Sequence, residues 1–290
     1  MIDGYKYINC CETGKLDSLL NAETPDGTAE ACLSDVLQIL QKSPTARCMI
    51  KEACAQDFSV IIDDGLSLDT SGFQTVDSTV ILPRISARDM GLKKNIGRAL
   101  ITVTAALRRA LKADQGYFSR FDLMPMDFLR LNRMAEADID AVTVQVCWEL
   151  STAGENAAWR QWLAGEKGDL AVVFTQGLRN CPMGQFDGKA LRYVFRQWFA
   201  DPERVNNADH TALEMLDMAL ACPEQFTVTM DTSLTLADLD ELQENLPFEG
   251  YLKGINIFGK WFDGLRDPFN HLHLHHILTE MKDEFLTPAE

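Results

Sequence analysis

Residues 96–111 read IGRALITVTAALRRAL, and this stretch carries the strongest indication of the fold. Its apolar residues recur at steps of three and four, which places them on one face of a helix. They are Ile96, Leu100, Val103, Leu107 and the pair Ala110/Leu111. We expect a helix from about residue 95, with Asn95 as its N-cap and Gly116 at its end.

A second long helix is expected over about 130–152, after a loop that contains Pro125. Its shared face is formed by Met134, Ala137, Ala141, Val144 and Trp148. Similar patterns predict further helices at 28–42, 44–56, 155–165, 167–177, 188–200, 209–221, 235–246 and about 270–285. Ser43-Pro44 supports the start of the helix at 44–56, because serine is a good N-cap and proline suits the first helical position.

The expected strands are few and short. The run FSVIID at 58–63 is apolar and rich in β-branched residues, so it predicts a strand. Residues 75–83, TVDSTVILP, predict a second strand or a hairpin with its turn near Asp77-Ser78. FTVTM at 226–230 is the late strand candidate. Many helices with one small sheet near the N-terminal side predict a mostly helical α+β fold.

Composition and charge exclude several classes of protein. The chain has 290 residues, 46 % of them hydrophobic, and a formal net charge of −16. Such a composition supports a packed core, and so acidic a surface argues against binding to nucleic acid or to anionic membrane. No run approaches the roughly 18–20 apolar residues of a membrane helix. The N-terminus lacks the pattern of a signal peptide, so we expect a cytoplasmic protein.

Four stretches in the middle of the chain form an ordered set. They are STVILPRI at 78–85, RMAEAD at 133–138, AVVF at 171–174 and ALRYVFRQWFADPER at 190–204. In order and spacing, residues 72–199 resemble a family of bacterial metallopeptidase-type domains whose function is otherwise unknown. The resemblance implies a zincin-like fold, with a zinc-binding helix after the strand and an Arg-x-x-Glu-Ala-Asp motif on a later helix.

The resemblance also implies an HExxH motif on the helix over 95–113. In that motif two histidines four residues apart bind zinc, and the glutamate is the general base. The corresponding positions here are Ala105, Ala106 and Arg109, which neither bind zinc nor transfer a proton, and HExxH occurs nowhere in the chain. Glu136, which resembles the family's third ligand, is present. We therefore expect a degenerate family member that has no enzymatic activity and binds no cofactor. The alternative is a protein that binds zinc or another transition metal.

Three acidic residues on the second long helix allow two interpretations. Glu136, Asp138 and Asp140 are a remnant of a metal or cation site, or they form a solvated acidic face that compensates the helix dipole. A more specific hypothesis is that Arg108 or Arg109 replaces zinc as the positive charge facing Glu136. A guanidinium neutralises a carboxylate and joins two elements, so this hypothesis predicts an arginine contact with Glu136.

The C-terminal HLHLHH at 271–276 contains four of the five histidines. His271 and His275 lie four residues apart and would share a helix face, and imidazole suits transition metals. His276 and Glu280 form a second such pair. The alternative is an amphipathic terminal helix without a metal, because the spacing provides no third ligand.

These observations leave three functions open for one domain over 1–290, with a zincin-like core at about 58–205 and a helical extension at 206–290. The leading interpretation is a catalytically inactive metallopeptidase-like domain that binds a peptide or protein in a groove, or has a structural role. Its aromatic residues either line that groove or belong to the core: Trp159, Trp162, Trp198, Phe199, Trp261 and Phe262. The alternatives are a hydrolase in which His271 or His275 joins Glu136 at a metal, and an oligomeric assembly protein with a large exposed apolar patch.

Overall fold

The computed structural model describes residues 10–21, 27–74, 77–222, 224–248, 250–253, 255–256, 259 and 264–286. Its strands are β1 (Cys10–Lys15), β2 (Ser59–Asp63), β3 (Gly72–Gln74) and β4 (Thr79–Pro83). Its helices are α1 (Leu16–Asn21), α2 (Ala29–Leu40), α3 (Pro44–Ala55), α4 (Ala87–Met90), α5 (Lys93–Asp114), α6 (Pro125–Thr152), α7 (Ala157–Leu163), α8 (Gly168–Asn180), α9 (Lys189–Trp198), α10 (Pro202–Ala221), α11 (Leu236–Leu242) and α12 (Pro268–Leu286). The mostly helical α+β class is confirmed. Zincin-like topology stays a prediction.

The four strands form one mixed sheet in the order β1-β2-β4-β3. The central strands β2 and β4 are parallel, and both outer pairs are antiparallel. Gln74 of β3 lies opposite Thr79 of β4, so a hairpin is present, but its first strand is Gly72–Gln74 and lies before the expected range of 75–83. β1 was not expected, because its sequence CCETGK lacks the apolar alternation of a half-buried strand.

The strand expected at 226–230 is wrong. In this segment the backbone N–H groups of Thr229 and Met230 both donate to the single carbonyl of Phe121. Met230 also has a positive φ of 49°, which interrupts regular strand geometry. Phe226 packs on Phe121 with ring centroids 5.4 Å apart. The apolar pattern at 226–230 therefore reflects side-chain packing and not pairing of strands.

Several helix ends differ from those expected. α5 begins after Leu92, and the side chain of Asn95 donates to Asp89 at 2.8 Å, so Asn95 is not the N-cap. α6 begins at Pro125, where the missing N–H costs no helical hydrogen bond, so this proline starts the helix and does not lie in a loop. Ser43 caps α3 as expected, because its hydroxyl accepts from the N–H of Ala46 at 3.0 Å.

The long helix α6 is the centre of the molecule. It is buried along most of its length, and α5, α7, α9 and α10 pack around it. α5 in turn meets α7 at Gly97, where a Cβ would lie 2.6 Å from the carbonyl oxygen of Ala157. One connected core extends from Leu16 to Ile277, although the expected division at 205/206 stays untested. No described helix is both long and apolar enough to cross a membrane.

Candidate functional site

The motif Arg133-x-x-Glu136-x-Asp138-x-Asp140 lies in the middle of α6, and each charged side chain is bound to another element. Arg133 binds Asp209 of α10 through two hydrogen bonds, Nε to Oδ1 at 2.5 Å and Nη2 to Oδ2 at 2.8 Å. Both side chains are buried, and burial raises the pKa of Asp209 although Arg133 opposes the shift. This pair joins α6 to α10.

Glu136 is bound by Arg109 of α5. Nη2 of Arg109 lies 2.7 Å from Oε1 and 2.5 Å from Oε2 of Glu136. The carboxylate of Glu136 raises the pKa of Arg109 above its usual value. The contact predicted between an arginine and Glu136 is therefore present, and Arg109 makes it.

Arg108 points to a different partner. Its Nε and Nη2 bind Asp138 at 2.6 and 3.1 Å, and its Nη1 and Nη2 donate at 2.8 Å to the carbonyls of Glu244 and Leu242. The hydroxyl of Tyr251 also donates to Asp138. Burial, together with the charge of Asp138, raises the pKa of Tyr251. These contacts tie α5 and α6 to the last residue of α11 and to the segment after it.

Asp140 accepts from two groups. Nζ of Lys167 lies 2.7 Å from its Oδ1, and the indole N–H of Trp198 lies 2.9 Å from its Oδ2. Asp138 is 0 % exposed and Asp140 is 5 % exposed. The interpretation of a solvated acidic face is therefore wrong for Asp138 and Asp140, whereas the side chain of Glu136 is partly exposed. These residues lie far from the first turn of α6, and neighbouring helices enclose them.

Glu136 and Asp140 face a large cavity, which we call the groove. It has a volume of about 830 Å³ and lies among α5, α6 and α10. Its main polar residues are Arg109, Asn132, Glu136, Asp140, Lys167 and Arg204. Its large apolar residues include Phe73, Phe118, Phe121, Met215, Met218 and Phe226. Trp198 also lines the groove, whereas Trp261 and Phe262 lie outside the described residues.

One wall of the groove is a single face of α10. Arg204, Ala208, Thr211, Met215 and Met218 line it at steps of three and four, and Cys222 follows directly after the helix. With a rise of 1.5 Å per residue, this face is roughly 21 Å long from Arg204 to Met218. Arg204 lies at its first turn, and the methionines lie toward its C-terminal end. The groove is therefore charged at one end and apolar at the other.

The residues present do not fit a zinc centre of the HExxH type. Ala105 and Ala106 carry no donor atoms, and the guanidinium of Arg109 binds both oxygens of Glu136. In the part of the chain that the structure describes, no group of three or more His, Cys, Asp or Glu side chains is arranged to hold a metal.

The C-terminal histidines belong to a different surface. His271, His275 and His276 are exposed on α12, which packs on α10. The neighbouring His273 binds Asp217 of α10. Asp217 lies on a different face of α10 from the groove. His276 pairs with Glu280 at 3.2 Å, as its spacing suggested.

Two groove residues, Lys167 and Arg204, were not predicted from the sequence. A signal for Arg204 was available, because Arg204, Ala208, Thr211 and Met215 recur at helical spacing. The expected helix began at 209, which left Arg204 outside it. Lys167 precedes α8 in a turn, and no periodic pattern points to its position.

This geometry defines the class of the protein. It is a mostly helical α+β domain whose central helix presents carboxylates to a groove. Residues 18–235 match the family model described as "Putative metallopeptidase family (DUF6782)". Because the match covers well over half of the chain, the chain belongs to this family. The match extends beyond the 72–199 resemblance on both sides. The chain has no match among curated proteins or among solved structures.

Proposed function

We propose that this chain is a family member without zinc-peptidase activity, and that it binds a peptide or protein segment in the groove. The observation that carries the proposal is the pairing of Arg109 with Glu136. The guanidinium of Arg109 neutralises Glu136, the position that resembles a zinc ligand. Ala105 and Ala106 stand at the first histidine and the glutamate of the expected motif, and Arg109 stands at the second histidine. The guanidinium of Arg109 replaces the positive charge that a metal ion would supply.

The dimensions of the groove support binding. Ligand sites are typically clefts of about 300–1,000 Å³ that are mainly apolar with a few placed polar groups. The groove has about 830 Å³ and combines aromatic and methionine side chains with the two ion pairs Arg109–Glu136 and Lys167–Asp140. An extended peptide suits a groove that is long and open to solvent along one side of a helix.

The test is equilibrium binding of a random peptide pool, with retained peptides identified by mass spectrometry and the best one titrated by calorimetry. Thr211→Trp places a bulky ring at an exposed groove position and should weaken binding at least about tenfold. Thr279→Trp makes the same change at an exposed position of α12 outside the groove and should leave binding unchanged.

Two results would contradict the proposal. The first is failure of the pool to bind, or equal binding by the wild type and the Thr211→Trp variant. The second is a shortened peptide after incubation, together with near-stoichiometric metal by elemental mass spectrometry. That outcome would favour the alternative of a metal-dependent hydrolase with a non-standard ligand set.

A separate observation keeps the assembly alternative as a second candidate. Phe269 and Leu272 of α12 are 80 % and 69 % exposed and lie three residues apart on one helix face. Light scattering after size exclusion tests whether this face joins copies of the chain. A dimer that dissociates in the double variant Phe269→Ser/Leu272→Ser would support assembly, and a monomer at all concentrations would contradict it.

A further inference from the structure

Resting on the proposed function, we infer that the groove binds the main chain of its peptide, and that Asn132 accepts a hydrogen bond from one peptide N–H. The peptide lies extended along α6, so that the N–H of the next residue but one reaches Glu136. Three observations lead to this assignment: an amide oxygen of Asn132 that no described residue binds, the spacing of the acceptors on α6, and the balance of charge around them.

Asn132 presents a hydrogen-bond acceptor to the groove. The residue lines the groove and is only 3 % exposed. Its Nδ2 donates to the carbonyl of Phe128 at 2.9 Å, and because a carbonyl accepts only from a donor, this bond fixes the orientation of the amide. Among the described residues no group donates to Oδ1 of Asn132, and this oxygen keeps accessible surface. A ligand in the groove therefore reaches an acceptor that is costly to leave without a donor.

The acceptors on α6 have the spacing of a peptide main chain. Asn132, Glu136 and Asp140 all line the groove and follow one another at steps of four, so they form one row along α6. Four residues of a helix rise about 6 Å, and alternate N–H groups of an extended chain, which point the same way, lie roughly 6.6 Å apart. Each oxygen of Glu136 accepts one bond from Arg109 and keeps a second lone pair. Alternate N–H groups of one peptide therefore fit Asn132 and Glu136 together.

The charge around this row favours a neutral donor. Glu136 is paired with Arg109 and Asp140 with Lys167, so the four side chains carry no net charge. An ammonium group would meet carboxylates that are already neutralised, whereas a main-chain N–H requires only an oxygen lone pair. The row therefore fits the main chain of a peptide better than it fits an amine.

Binding through the main chain leaves most side chains of the peptide free to vary. Met215 and Met218 line the α10 wall of the groove, and methionine adapts to different apolar shapes. Proline is the exception, because it has no N–H to donate. We therefore expect varied sequences among the bound peptides, with proline missing from two positions that are two residues apart.

The experiment uses hexapeptides that are acetylated and amidated, so that no terminal charge contributes. The hexapeptide from a randomised pool that the full chain retains best in equilibrium dialysis is made again with a single N-methyl group at each position in turn. We expect two N-methyl positions, two residues apart, to weaken binding at least about tenfold, because each loses its hydrogen bond. N-methylation at the position between them should weaken binding less than about threefold.

Variants assign one of the two sensitive positions to Asn132. Asn132→Leu removes the acceptor and keeps a side chain of similar size, so one N-methyl position should lose its effect and the other, at Glu136, should keep it. Asn132→Ala serves the same purpose if Asn132→Leu does not fold. Asn180→Leu makes the same change at an exposed position of α8 outside the groove and should retain both effects. Thermal unfolding verifies the fold of each variant.

The outcomes separate this inference from the proposed function. Binding that is lost in Thr211→Trp but shows no pair of sensitive N-methyl positions would overturn main-chain recognition and leave peptide binding intact. Two sensitive positions that both persist when Asn132 is replaced would overturn the role of Asn132. Retention of no hexapeptide would overturn both the inference and the proposed function.

Discussion

Arg109 lies one helical turn after Ala105 on the same face of α5, and its guanidinium binds both oxygens of Glu136. Histidines at 105 and 109 would share that face and would have Glu136 as a third ligand, which is the ligand number of a catalytic zinc site. We therefore expect the Ala105→His/Arg109→His variant to acquire near-stoichiometric zinc, measured by elemental mass spectrometry after dialysis.

The matched control adds Glu136→Gln to that double variant. Removal of the third ligand should weaken zinc binding by about tenfold or more in competition with a chelating dye. If the double variant binds no zinc, or if Glu136→Gln has no effect, the correspondence of these positions to the family's metal site is incorrect. Substitution of the buried Ala106 is unnecessary, because ligation needs only the two histidines.

Lys112, three residues after Arg109, is fully buried. Its Nζ donates to Oε1 of Gln115 at 2.6 Å and to the carbonyl of Glu241 at 3.2 Å. Burial, assisted by the charge of Arg108, lowers its pKa to about 7. The unfolded chain keeps a lysine pKa near 10.4, so above pH 7 it binds more protons than the folded chain. The free energy of unfolding should therefore rise by roughly 1–3 kcal/mol between about pH 7 and pH 9.

The variant Lys112→Met isolates this contribution, because cysteine thiols also titrate in the same range. The variant lacks the titrating amine, so its stability relative to the wild type should fall as pH rises from about 7 to 9. Urea unfolding under reducing conditions gives both free energies. A difference that does not change with pH would show that Lys112 keeps an ordinary pKa in the folded chain.

The sequence predicted that Arg108 or Arg109 would contact Glu136, but it did not predict the partners of Asp138 and Asp140. The first contact followed from a resemblance that places two motifs at one site. Asp138 and Asp140 are buried by Tyr251, Lys167 and Trp198, which come from distant parts of the chain. The charge pattern of one helix does not show which distant residues will cover it. The sequence therefore allowed exposed aspartates at 138 and 140, which is incorrect.

Among the elements, α3 depends on a carboxylate from α6. Glu149 accepts from the Ser43 hydroxyl at 2.5 Å, from the Thr45 N–H at 3.0 Å and from the Thr45 hydroxyl at 2.7 Å. Ser43 is the N-cap, so a negative charge lies beside the first turn of α3, where the helix dipole favours it. Glu149 therefore fixes the start of α3 against the central helix.

Loss of that carboxylate should destabilise the fold. We expect Glu149→Ala to lower the free energy of unfolding by about 2–3 kcal/mol, because it leaves buried donors at 43 and 45 without an acceptor. Glu155→Ala is the comparison, since Glu155 pairs with Lys42 on the exposed surface and should cost less than about 1 kcal/mol. Equal losses in the two variants, measured by urea unfolding, would contradict a capping role for Glu149.

Helix existence was easier to predict than helix ends. α5 and α6 have long apolar stripes, and both were expected near their observed positions. Their starts depend on single contacts, such as the Asn95 bond to Asp89, which periodicity does not encode. The same limit hid the start of α10 and therefore the place of Arg204 in the groove.

For the molecule as a whole, the family match ends at residue 235, but the hydrophobic core continues to Ile277. Arg108 is fully buried, and the carbonyls that it binds belong to Leu242 and Glu244. Tyr251 completes the same cluster through Asp138. Without these groups, a buried guanidinium and a buried carboxylate lose part of their hydrogen bonds, which costs several kcal/mol. The segment over 236–253 therefore acts as part of the central packing.

Two truncated chains test this dependence. Residues 1–235 should lack a cooperative thermal transition, because Arg108 and Asp138 lose their partners from the C-terminal segment. Residues 1–253 keep those partners and lose α12, so this chain should unfold cooperatively at a lower temperature than the full chain. Circular dichroism gives the transitions, and size exclusion distinguishes folded monomer from aggregate. If 1–235 unfolds as cooperatively as 1–253, the contacts of Arg108 and Asp138 with the C-terminal segment do not hold the fold together. The family-matched segment is then an independent domain, and the remaining helices are an accessory extension.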